Sequence, residues 1–353
     1  MSRKNRLLKQ MPADMDALLV TNEKNQRYLT SFNYTDGIVI VTKGKSYCLA
    51  DSRYIEAAKA EVNEDFEVVL LGGNRKDLIV SILEAENVKT IGYEDASLTC
   101  EALTRYSKML DEYKLVPAGR IIEGLREIKD AEEIGKIIKA QRIAEDAFLH
   151  ILDFITPDKT EIDVALELEF YMRSHGAEDK SFDTIAVSGS ASSLPHGVPR
   201  NVKLEKGFFT MDFGALYEGY CSDMTRTVVL GKADDEMKKI YNTVLTAQLA
   251  AIEKLAVGVT GKETDKVARD IIYGAGYEGC FGHGLGHGVG MDIHEAPSNS
   301  AAGIKPFEIG HVITVEPGIY IESKYGVRIE DMVIFDENGA QNITKSPKNL
   351  IEL

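Results

Sequence analysis

The chain has 353 residues, 44% of them hydrophobic and 27% charged, which suits a soluble globular protein and exceeds one comfortable core, so two domains are expected. A formal net charge of -15 repels phosphate backbones and argues against nucleic acid or an anionic membrane as partner. No signal-peptide pattern and no apolar stretch of membrane-spanning length is visible, so a cytoplasmic protein is expected.

The only basic run lies in the first nine residues. Residues 17 to 118 then alternate short apolar runs with helical patterns: "DALLV", "GIVIV", "SYCLAD", "RYIEAAKAEV", "FEVVLL", "RKDLIVSILEAENV", "TIGYED", "CEALTRYSKML" and "YKLVPAG". Strands alternating with helices predict an α/β domain. From Gly124 the texture changes to long helices, with Ile134, Ile137, Ile138, Phe148, Ile151, Leu152 and Ile155 recurring at three- and four-residue intervals. In "PDKTEIDVALELEFYMRSHG", Thr160 is the expected N-cap, with Asp163 three residues on, and Gly176 the stop. Two helices are expected around residues 234 to 274. The boundary is expected near residues 119 to 125, dividing the chain into 1–123 and 124–353. Cys48, Cys100, Cys221 and Cys280 form no C-x-x-C pair, which predicts free thiols rather than a zinc cluster or disulfides.

Chemistry concentrates in the second part. "FFTMDFGALYEGYCSDMTRTVVL" (208–230) reads as a hairpin, and a turn centred on Tyr217 and Glu218 would set Asp212 opposite Asp223. "HVITVEPGIYIESKYGVRIEDMVIF" (311–335) repeats the pattern, and a turn centred on Ser323 sets Glu316 opposite Glu330. Cross-strand neighbours have Cβ atoms about 5 Å apart, where like charges repel. Half-buried acid pairs persist only if they share a proton or hold a cation. Four carboxylates with at least one imidazole and no thiolate suit one or two divalent ions such as Mn²⁺, Co²⁺ or Zn²⁺.

Between the hairpins, "FGHGLGHGVGMDIHEAP" (281–297) carries glycine at every even position from Gly282 to Gly290. An extended strand would place these glycines on one face, open to a neighbouring backbone or a substrate, with His283 and His287 on the other. In a straight strand those histidines lie about 13 Å apart, so they would hardly share an ion. His196, in the Pro/Gly-rich "SSLPHGVP", is a loop imidazole of the kind that carries function, whereas His150, His175 and His311 sit in ordinary contexts.

Through these segments the sequence resembles the pita-bread metallopeptidases, the family of methionine aminopeptidase, aminopeptidase P and prolidase. The resemblance implies an α/β (α+β) chain: an N-terminal creatinase/prolidase-type domain and a C-terminal pita-bread catalytic domain with a curved antiparallel sheet. It implies five ligands for a dinuclear centre: Asp212 in "MDFG", Asp223 in "SDMTRT", His287 in "GLGHGVG", Glu316 in "VEPGIY" and Glu330 in "RIEDM". It selects His287 over His283, which receives no chemistry. His196 in "LPHG" and His294 in "DIHEAP" resemble histidines that contact substrate and the tetrahedral intermediate, and Arg328 resembles the arginine beside the site in the proline-specific branch, which implies a substrate-binding role for it as well. "DSRY" (51–54) and "LREIKDAEEI" (125–134) also look like that branch, whose extra N-terminal domain helps form a dimer and shape the active-site entrance.

The expectation is therefore a homodimeric Xaa-Pro dipeptidase acting on proline-containing di- or oligopeptides. Two divalent ions, Mn²⁺ foremost, would be bridged by Asp223, Glu330 and a hydroxide. Glu316 would carry the proton to the leaving proline nitrogen, with His294 and His196 orienting the carbonyl. An Xaa-Pro aminopeptidase acting on longer peptides is the alternative. A non-catalytic pita-bread binding protein or a metal-free creatinase-type enzyme is disfavoured by the intact ligand set.

Overall fold

The computed structural model describes residues 1–353, which form two compact units, Met1–Arg126 and Glu127–Leu353. In the first, helices α1 (Arg3–Gln10) and α2 (Glu23–Thr30) were not expected from the sequence, being short and polar. Their N-caps start them: Ser2 accepts from the Asn5 amide and Asn22 from the Asn25 amide. Strands β1 (Ala17–Val20), β2 (Ile38–Thr42), β3 (Ser46–Ala50), β4 (Glu67–Leu70), β5 (Thr90–Tyr93) and β6 (Lys114–Pro117) fall on the apolar runs and build one mixed sheet, ordered β4-β3-β2-β1-β5-β6. Helices α3 (Ile55–Glu61), α4 (Arg75–Ala85) and α5 (Cys100–Met109) intervene as expected, and α6 (Ile121–Glu127) follows.

The second unit opens with α7 (Ala131–Phe154), started by a capping box between Asp130 and Glu133, and α8 (Glu161–Ser174), started by the expected box of Thr160 and Asp163. Ile143, Phe148 and Ile151 of α7 pack with Val164, Leu168 and Met172 of α8 against Phe209, Met211 and Phe213. Each such side chain, fully buried, contributes about 1.5–3 kcal/mol. Helices α9 (Asp235–Lys254) and α10 (Gly261–Gly274) repeat this arrangement. Thr260 caps α10 as Thr160 caps α8, and Gly276 ends the second pair at φ +95° as Gly176 ends the first at φ +105°. The sequence reading did not see this duplication, because little besides caps and stops coincides. No helix is long and apolar enough to cross a membrane, and none of the four cysteines forms a disulfide.

Strands β7 (Asp179–Lys180), β8 (Ile185–Ser188), β9 (Gly207–Phe213), β10 (Ala215–Tyr217), β11 (Tyr220–Cys221) and β12 (Met224–Leu230) form two three-stranded sheets, β12-β9-β8 and β11-β10-β7. The first hairpin departs from expectation. Its turn is Glu218–Gly219, both at positive φ (46° and 82°) as a two-residue primed turn requires. Tyr217 pairs with Tyr220, so Asp212 faces Thr225, and Asp223 lies two residues away from the predicted position. Asp212 and Asp223 are therefore diagonal rather than direct neighbours.

A second layer holds β13 (Gly286–Gly288), β14 (Glu295–Asn299), β15 (Val312–Val315), β16 (Gly318–Ile321), β17 (Tyr325–Arg328), β18 (Asp331–Asp336) and β19 (Gly339–Asn342). The five-stranded sheet runs β14-β13-β15-β18-β19, with β16-β17 as a separate ribbon. Here the predicted register holds: Val315 pairs with Asp331 and Gly318 with Arg328, which leaves Glu316 and Glu330 opposed between them. Ser323, at φ +58°, sits at the centre of the turn as expected.

The glycine-histidine run does not form the long strand expected of it. Among residues 282–290 only Gly286–Gly288 is β-structure, and its pairing to β14 is irregular. Two of its glycines make room for neighbouring backbone: a Cβ at Gly286 would lie 2.1 Å from the Thr314 carbonyl oxygen, and one at Gly288 2.3 Å from that of Ala296. Gly286→Ala is expected to destabilise the protein by about 3 kcal/mol through this overpacking, measured as a lower chemical-denaturation midpoint at unchanged slope. Unchanged stability would mean that the two backbones do not approach so closely.

Candidate metal centre

The second unit brings all eight sequence-nominated residues to one cavity of about 660 Å³. Asp212 comes from β9, Asp223 from the residue before β12, and His287 from the short β13. Glu316 leaves β15, while Arg328 ends β17 and Glu330 follows it. His196 lies in the loop after a 3₁₀ turn at Gly189–Ser193, and His294 lies just before β14. One strand and the ends of others supply the acids, and the loops supply the accessory histidines. His150, His175 and His311 lie elsewhere: His150 pairs with Glu167, His175 stacks on Tyr171, and His311 accepts from the Glu308 amide.

Two of the acids, Asp212 and Glu330, are each held by one oxygen and leave the other without a partner. Arg328 Nη2 donates to Asp212 Oδ2 at 2.6 Å, and Thr225 Oγ1 donates to Glu330 Oε2 at 2.7 Å. Asp212 Oδ1 and Glu330 Oε1 are buried without a hydrogen-bond partner. Potential ligand atoms of Asp223, His287 and Glu330 lie within 4.8 Å of one another. His287 Nε2 is 3.3 Å from Glu316 Oε1 and 3.5 Å from Asp223 Oδ2, while Nδ1 lies 3.2 Å from the Gly288 carbonyl. Donation from Nδ1 to that carbonyl fixes the ring so that Nε2 faces the acids.

Electrostatics show the strain in the arrangement. Burial, then the neighbouring Glu330, pushes Asp223 well above the usual carboxylate range; burial, then Glu316, does the same to Glu330. Burial also raises Asp212, against the opposing Arg328 charge. Burial raises Glu316 too, yet the hydrogen bond and charge of His287 outweigh it and hold Glu316 at about 2. Buried carboxyls this close cannot all ionise unaided. Two orphaned carboxylate oxygens, four acids and one imidazole without a thiol fit hard-to-borderline divalent cations.

His283 separates from the cluster. Its Nδ1 donates to the Gly284 carbonyl (2.8 Å), which leaves Nε2 to accept from the Tyr320 hydroxyl (2.9 Å). Tyr320 Oη in turn accepts from Arg328 Nη1 (2.8 Å), so His283 connects to Asp212 through a chain of hydrogen bonds. Sequence reasoning missed three partners. Tyr320 was visible only as a strand aromatic. Thr225 sits in "SDMTRT" and accepts from Arg328 Nε as well as donating to Glu330. Thr314 accepts from the His287 amide and donates to Glu316 Oε1. Threonine in a strand carries no signal of such a role.

Residues 135–337 match the family described as metallopeptidase family M24, and residues 3–128 match the creatinase/prolidase N-terminal domain. A Xaa-Pro dipeptidase of Pyrococcus horikoshii is 38% identical over 339 residues, 96% of this chain and 95% of the relative. Among solved structures, a Xaa-Pro dipeptidase from Bacillus anthracis superposes with a TM-score of 0.95 at 42% identity, covering 99% of each chain. An X-Pro aminopeptidase from Thermotoga maritima superposes with a TM-score of 0.93 at 36% identity, covering 99% of this chain and 100% of its own.

Thr225→Val keeps the shape while removing both hydrogen bonds of the hydroxyl. It is expected to weaken Mn²⁺ binding about 10-fold by calorimetry, the scale typical of lost partners behind a metal ligand. Unaltered affinity would mean that Thr225 does not orient Glu330.

Proposed function

The chain belongs to metallopeptidase family M24, and from that premise we propose that it hydrolyses the Xaa-Pro peptide bond, as an Xaa-Pro dipeptidase that uses two divalent ions. The observation that carries this reading is the pair of buried, unpartnered oxygens of Asp212 and Glu330 facing a cavity that Asp223, His287 and Glu316 also line. The near-full-length likeness to proteins named Xaa-Pro dipeptidase supports the substrate class.

Asp212, Asp223, His287, Glu316 and Glu330 would hold the ions. Bound there, Mn²⁺, or alternatively Co²⁺ or Zn²⁺, would supply Lewis acidity and lower the pKa of water. Glu316 receives the proton of the attacking water and delivers it to the leaving proline nitrogen. His294 and His196 donate to the carbonyl oxygen as charge develops on it, each worth a few kcal/mol of barrier. Arg328 keeps Asp212 in place through the 2.6 Å hydrogen bond rather than taking part in proton transfer. Proline fits because this scheme asks nothing of the scissile amide N–H, which an Xaa-Pro bond lacks. Our reading also takes the protein to be a cytoplasmic homodimer acting on proline-containing di- or oligopeptides. The likeness to an X-Pro aminopeptidase supports a second reading, removal of the residue before proline from longer peptides.

A panel of Xaa-Pro, Xaa-Pro-Yaa and Xaa-Ala peptides with Mn²⁺ tests the proposal. Turnover of Xaa-Pro above Xaa-Pro-Yaa, with Xaa-Ala spared, is expected; preference for the tripeptide selects the aminopeptidase, and equal cleavage of Xaa-Ala overturns proline specificity. Asp223→Ala and Glu330→Ala are expected to lose metal and hydrolysis together. His196→Ala should retain metal while kcat falls about 100-fold; metal loss in that variant would make His196 a ligand instead.

A further inference from the structure

His196 hangs in a loop with little packing of its own: Leu194 and Val198, its apolar neighbours, are 57% and 77% exposed. Hydrogen bonds hold it instead. On the upstream side Arg328 Nη1 donates to the Pro195 carbonyl at 3.1 Å, and the Gly197 amide closes a turn onto the Leu194 carbonyl. On the downstream side the loop ends at Arg200, whose backbone N and Nε donate to Glu161 Oε2, both at 2.9 Å, and whose Nη2 donates to Oε1 at 2.6 Å.

Glu161 is the first residue of α8 and is fully buried. It also accepts from the Ser188 amide (2.8 Å) and hydroxyl (2.9 Å) at the end of β8. Burial alone would raise its carboxyl, yet Arg200 and these donors hold it below the usual range. One carboxylate thus joins the start of a helix, the end of a core strand and the end of the histidine loop. A two-pronged guanidinium–carboxylate contact fixes orientation as well as distance, which an ammonium on a flexible stem does not.

We propose that the Glu161–Arg200 pair is a positioning device for His196, setting where its imidazole stands in the cavity. The inference rests on the reading of His196 as a carbonyl-orienting group in the proposed hydrolysis. Arg200→Lys retains the charge and loses the fork. The expected result is about a 10-fold fall in kcat with KM and Mn²⁺ affinity within twofold of the parent, together with faster hydrogen–deuterium exchange across residues 194–200. Added to His196→Ala, Arg200→Lys should cause no further loss of kcat, because the residue it positions is gone. Glu161→Gln, which disrupts the pair from the other side, should reproduce the pattern and serves if Arg200→Lys does not fold. An equal kcat loss with and without His196 would overturn the proposal, as would unchanged exchange in the loop. Should the parent cleave no Xaa-Pro peptide, the proposed function fails, while the exchange measurement still tests whether the pair holds the loop.

Discussion

Burying several carboxyl groups against one another is unfavourable unless a cation or shared protons offset the repulsion, and the second unit is arranged around that constraint. Asp212, Asp223, Glu316 and Glu330 come from two hairpins far apart in sequence, and His287 comes from a third segment between them. The two strand systems are joined where the acids meet: the Glu330 amide donates to the Thr225 carbonyl, and the buried Arg226 donates to the carbonyls of both Thr225 and Glu330. The backbone that carries the acids is therefore tied together behind them.

Orientation is achieved from the side facing away from the cavity. Arg328 takes one oxygen of Asp212, Thr225 takes one of Glu330, and Thr314 bonds to Glu316. Each leaves the carboxyl a free direction toward the centre. The accessory histidines follow the same rule by other means. The Glu161–Arg200 pair ends the His196 loop, and beside His294 the buried Lys129 donates to Glu295 at 2.6 Å. A site built this way can present polar atoms to a ligand without leaving its own supporting atoms unpaired.

How much of this was legible depended on whether a local rule had a competitor. Apolar runs bounded by turn residues located all six strands of the first unit, since nothing else suits them. In the second hairpin "ESKYG" is centred on the turn, so midpoint reasoning found the register that opposes Glu316 and Glu330. In the first hairpin the turn was expected one residue early, at Tyr217 and Glu218, whereas the residues at positive φ are Glu218 and Gly219, and that single step moves the partner of Asp212 by two residues. The glycine-histidine run was legible in composition and misleading in structure: alternation suggested a long strand, whereas the tight approach of two neighbouring backbones explains glycine at 286 and 288. Choosing His287 over His283 needed the family resemblance. The Tyr320 bond that occupies His283 Nε2 is tertiary, and no spacing in the sequence announces it.

The central claim is that the bare oxygens of these acids are ligands. Diffraction from crystals grown with Mn²⁺ and recorded at the manganese absorption edge tests it directly. The account predicts two anomalous peaks per chain, both enclosed by Asp212, Asp223, His287, Glu316 and Glu330. Absence of any peak there, or peaks held by other residues, would contradict it.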